Sequence, residues 1–78
     1  MTVLVATGER HIARLCEVNL SRQGWSTHTV STTAELVESA RSIRPKLVVI
    51  DPNLEGHIDA ESQLLELGID FLVMQKGK

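Results

Sequence analysis

An α/β chain built on a parallel sheet is what this sequence predicts, on three observations. Short apolar runs rich in β-branched residues, VLVA at 3–6 and LVVI at 47–50, read as strands covered on both faces. The segments between such runs place their apolar residues at helical spacing and close on glycine or proline. Strand and helix alternate three times before a fourth strand, an order that calls for right-handed crossovers with helices on the faces of the sheet.

Val3–Ala6 is the first strand. In the helix that follows, Ile12, Leu15, Cys16 and Leu20 form one stripe, with Arg10, Arg14, Glu17 and Arg22 mostly elsewhere, and Gly24 supplies the stop. The run WSTHTV, 25–30, alternates weakly and suits a strand near a sheet edge. Thr32 and Glu35 have the spacing of a capping box, in which each side chain satisfies a free N–H of the first turn. The second helix then carries Leu36, Val37, Ala40 and Ile43, and ends by Arg44 because Pro45 disfavours helical geometry in the residue before it. Leu47–Ile50 is the third strand and the best candidate for a central one. PNLEGH is a loop, Asp59 caps a short helix through Leu67, and Gly68 ends it. IDFLVM, 69–74, is the fourth strand.

With 78 residues the chain is one domain, 1–78. A chain of this size buries only about 60–65% of the surface it exposes when unfolded, so its stability is marginal. One cysteine excludes an internal disulfide, and three scattered histidines match no zinc spacing. Cys16 reads as a small buried hydrophobe. A net charge of −2 argues against non-specific nucleic-acid binding. No apolar run approaches the roughly 20 residues of a membrane span, and the start MTVLVATGER lacks the features of a secretory signal. The expectation is a cytoplasmic protein without nucleic-acid or membrane partners.

Three stretches carry a resemblance. VLVATGE stands where a first strand and acidic turn would be, LSRQGWSTHTVSTTAELVESARSIRPKLVVID follows with matching spacing, and LEGHID leads toward the third helix. Together they resemble the receiver domain of bacterial response regulators. The resemblance covers essentially the whole chain, but only about the first two-thirds of a complete receiver. It implies a flavodoxin-like fold, βαβαβαβ, truncated after the fourth strand, with sheet order 2-1-3-4.

The resemblance also places Asp51 at the phosphoacceptor position. Receivers hold a divalent cation with two acids after the first strand together with the acceptor, because a carboxylate attacking a phosphoryl group needs its charge screened. Those two positions are Thr7 and Gly8 here, with Glu9 one place late. The hydroxyl residue expected after the fourth strand is Gln75, and Lys76 is on the wrong strand for the family's lysine. The resemblance therefore implies no metal site and no catalysis, with Mg2+ needed only if Asp51 is phosphorylated. Read by itself, Asp51 is equally an acid that accepts backbone hydrogen bonds in the turn before Asn53. Gly8 reads as a turn glycine beside a capping acid, Glu9.

The leading expectation is a non-catalytic, receiver-like signalling module that acts by protein–protein association. The strand residues Phe71, Leu72, Val73 and Met74 offer an apolar edge for a second copy, a dimer, or a signalling protein. Three alternatives stay open. The chain is a receiver half-domain that only self-assembles, a conventional receiver phosphorylated on Asp51, or a small-ligand or nucleotide binder at the switch point between strands one and three. The last is loosely like a universal stress protein, without that family's glycine-rich phosphate loop.

Overall fold

The computed structural model describes residues 1–74. Along the chain run β1 (Thr2–Ala6), α1 (Arg10–Arg22), β2 (Ser26–Val30), α2 (Thr33–Ile43), β3 (Leu47–Ile50), α3 (His57–Leu67) and β4 (Phe71–Val73). All strands are parallel and their order is β2-β1-β3-β4, the α/β flavodoxin-like arrangement expected from the sequence. The weakly alternating run at 26–30 lies at one edge, and Leu47–Ile50 is central.

The connections β1 to β2 and β2 to β3 run in opposite directions across the sheet. Right-handed crossovers therefore put α1 on one face, and α2 with α3 on the other. Alternation along the strands serves both faces. Leu4, Ala6, Val48 and Ile50 join Leu36 and Ala40 of α2, and Ala60 and Leu64 of α3, in the main core. Val3 and Val5, the intervening residues of β1, are buried against the side that carries α1. That side is thinner, since α1 has no buried residue. Leu15 is largely exposed, so the stripe on α1 is narrower than the spacing predicts. Cys16 is half-buried, not buried, although burial still pushes its thiol above the ordinary value and keeps it a poor nucleophile.

The helix ends show how local sequence sets the frame. The Thr32 hydroxyl accepts from the Glu35 N–H at 3.2 Å, as the capping box predicts. The return contact differs, because Glu35 Oε1 accepts from the N–H and hydroxyl of Ser31, both at 3.2 Å, one residue further out. α2 ends at Ile43, with Arg44 in the left-handed region at φ 51° just before Pro45. α3 begins three residues earlier than predicted. Gly56, at φ 78°, takes the N-cap position, and its carbonyl accepts the Ala60 N–H. Asp59 is therefore inside the first turn, where its charge still meets the positive end of the helix. β4 is shorter than the predicted 69–74 run, although the Met74 N–H still donates to the Ile50 carbonyl at 2.7 Å.

Replacing Thr32 by alanine removes the acceptor for the Glu35 N–H. Urea unfolding should show a loss of about 1 kcal/mol, with Thr32→Ser retaining most of the stability.

Candidate functional site

The register brings the carboxyl ends of the strands level. Ala6 lies opposite both Val30 and Ile50, and Ile50 lies opposite Val73. Thr7 and Asp51 are the next residues on two adjacent strands, beside the point where the sheet order reverses, and this fold type receives its ligands there. The Asp51 N–H continues the ladder to the Ala6 carbonyl at 2.8 Å, and the Thr7 N–H continues it to the Val30 carbonyl at 3.0 Å. Both residues are 4% exposed, and they are the buried polar residues of the core.

Their side chains meet. The Thr7 hydroxyl donates to Asp51 Oδ2 at 2.8 Å. Asp51 Oδ1 accepts the Asn53 N–H at 2.9 Å, and the Asp51 carbonyl accepts the Leu54 N–H at 3.1 Å. These two bonds make an Asx turn of PNL, which the sequence allowed for. Thr7 Oγ1 in turn accepts the Glu9 N–H at 3.2 Å. The result is a directed chain, from the Glu9 amide to the Thr7 hydroxyl to the Asp51 carboxylate, in which each bond polarises the next. Among the described residues, no buried side-chain polar atom lacks a partner.

Of the other residues singled out in the sequence, the structure gathers only backbone here. Asn53 and Glu9 contribute N–H groups, not side chains. Glu9 occupies the N-cap position of α1 but makes no side-chain capping bond, so it is not the capping acid expected. Gly8 is not a conformational glycine either. Its φ lies outside the left-handed region, and a Cβ there would have Leu54 Cδ2 as its nearest neighbour at 4.0 Å. An acid would fit that position sterically. Gln75 and Lys76 lie outside the described residues. Phe71 and Met74 are half-buried, while Leu72 and Val73 are exposed on β4, which pairs with β3 on one side.

The carboxylate's partners are a hydroxyl and an amide, not a cation. Among the described residues, His57 Nδ1 lies 2.6 Å from Glu61 Oε2 on α3, and no three His, Cys, Asp or Glu side chains are grouped to hold a metal. An open cleft beside the site has a volume of about 290 Å³ and is lined by Thr7, Gly8, Arg10, Ser31 and Glu35 among others. Thr7 lines that cleft, and its hydroxyl is committed to Asp51. No helix among the described residues is long and apolar enough to cross a membrane. Sequence reasoning placed Thr7 only as a neighbour. Its role as Asp51's partner could have been found from one signal, a hydroxyl at a strand end directly across the register from the acid.

No family model matches the chain. The alkaline phosphatase synthesis transcriptional regulatory protein PhoP of Bacillus subtilis (strain 168) is 32% identical to it over 75 residues, covering 92% of this chain and 31% of that protein. The chain thus spans about a third of the relative's length. It is weakly similar to a response regulator over nearly all of its own length, and its parallel sheet, β2-β1-β3-β4, is consistent with part of a receiver domain.

Thr7→Val keeps the shape and removes the donor to a buried carboxylate oxygen. We expect a loss of about 1–3 kcal/mol in urea unfolding, and Thr7→Ser should recover most of it.

Proposed function

We propose that this chain is a receiver-like signalling module that acts by association with other proteins, without phosphoryl transfer at Asp51. The observation that supports this reading is the 2.8 Å bond from the Thr7 hydroxyl to Asp51 Oδ2. A receiver's acceptor must present a carboxylate oxygen to a phosphodonor while a divalent cation screens the approaching charge. In this chain one oxygen is held by Thr7, the other by the Asn53 N–H, and the residue is 4% exposed. The positions that would supply two cation-binding acids carry Thr7 and Gly8, neither of which offers a carboxylate. Asp51 then serves as a tie between two loops, and the module has no enzymatic step and needs no cofactor.

A module without a chemical switch must work through its surface. The side of the sheet beyond β4 is the best candidate, with Leu72 and Val73 exposed on a strand whose outer edge is unpaired among the described residues. Unpaired N–H and C=O groups beside apolar side chains form a template for association, with a second copy or a signalling protein.

Intact-mass spectrometry after incubation with Mg2+ and a small phosphodonor tests the reading. We expect no phosphoryl adduct, for the wild type as for Asp51→Asn. An adduct that appears in the wild type and vanishes in Asp51→Asn would restore the conventional receiver reading.

A further inference from the structure

Of the three helices, α1 is held least. α2 sends Leu36 and Ala40 into the core and α3 sends Ala60 and Leu64, but no residue of α1 is buried. Its inner line is Ile12, Ala13, Cys16 and Leu20, all half-buried. The main core cluster contains no residue of α1.

The floor beneath α1 explains the difference. Residues level with one another on paired parallel strands share a face of the sheet. Val3 and Val5 of β1 are level with Thr27 and Thr29 of β2, and with Leu47 and Val49 of β3. α1 packs on β1 and β2, so half of its floor is threonine. Val3 and Val5 are buried, but Leu47 and Val49 are only half-buried on the same face. The opposite face has Leu4, Ala6, Val30, Val48 and Ile50 in register, all of them buried.

Polar ties follow the same division. α2 is bound to the start of α3 by Thr33 Oγ1, which donates to the Glu55 carbonyl at 3.1 Å. At the other end, Arg44 Nη2 donates to the Leu67 carbonyl at 3.5 Å. Among the described residues, the hydrogen bonds of α1 stay within residues 9–25, and Arg10, Arg14, Glu17 and Arg22 form no ion pair. One bond links its N-cap to the rest of the fold, from the Glu9 N–H to Thr7 Oγ1.

We infer that α1 opens on its own, as a strap hinged at residues 7–9 and 23–25, while the sheet and the α2–α3 layer stay folded. Opening uncovers Val3 and Val5 and breaks the bond from Glu9 to Thr7. It leaves the main core and the bond from Thr7 to Asp51 in place. Local openings are drawn from the parts of a fold with few buried apolar contacts and exposed backbone hydrogen bonds, and α1 is that part here. The chain therefore has a second conformer, in which one face of β1 is bare and Cys16 is free of the sheet. This conformer is independent of how Asp51 is used and of whether copies associate.

Native-state hydrogen exchange, read amide by amide by NMR, tests this in the wild type and in Thr32→Ala. Loss of the Thr32 cap weakens α2 equally in the closed and the α1-open molecule, so it eases only full unfolding. The slow amides of β1 and β3 should then exchange about fivefold faster, the factor that matches a lost helix cap. The amides of α1 should keep their wild-type rates. A second measurement needs no variant. In wild-type protein below the urea transition, α1 amides should show a shallower urea dependence than those of β1 and β3, because opening one helix exposes less surface than unfolding the chain. Amides of α1 that accelerate in Thr32→Ala as much as those of β3 would overturn the inference. So would wild-type α1 amides that match β3 in both rate and urea dependence, since α1 would then open only with the whole molecule.

Discussion

The bond between the Thr7 hydroxyl and the Asp51 carboxylate is the constraint on which the carboxyl end of this sheet depends. It ties the loop after β1 to the loop after β3, the two central strands. Through Glu9 it reaches the start of α1, and through Asn53 it closes the turn that leads to α3. A buried carboxyl group is costly unless its oxygens are hydrogen-bonded. Here a hydroxyl meets one carboxylate oxygen and an amide the other, so each oxygen of the buried aspartate has a partner within the chain.

That arrangement separates the fold from the chemistry usually built on it. The register places an acid at the end of a central strand, beside the switch point, whatever stands opposite. When the opposite residue is a carboxylate, the pair repels and needs a cation. When it is threonine, the pair is satisfied internally. On the proposed reading, a single residue type decides between an open electrostatic site and a closed structural tie. The space at Gly8 shows that packing does not force the acid's absence from the neighbouring position.

Much of the architecture was legible from the residues. Apolar runs set the strands, Thr32 with Glu35 set the start of α2, and Pro45 set its end, because each acts through local backbone geometry. The start of α3 was missed, since Asp59 is a good cap in isolation and only the left-handed turn at Gly56 moves the helix start forward. The burial of Cys16 and Leu15 was overestimated, because helical spacing reveals a stripe but not how much sheet lies beneath it. The partnership of Thr7 with Asp51 depends on the register across 44 residues of sequence, which no local pattern carries.

The central claim is that Asp51 is held by hydrogen bonds in a site that does not take a divalent cation. An amide NMR titration of the chain with Mg2+ tests it most directly. The account predicts no saturable shifts at the Thr7, Gly8, Asp51 and Asn53 amides up to millimolar Mg2+. Saturating shifts confined to those four amides, and abolished in Asp51→Asn, would contradict it.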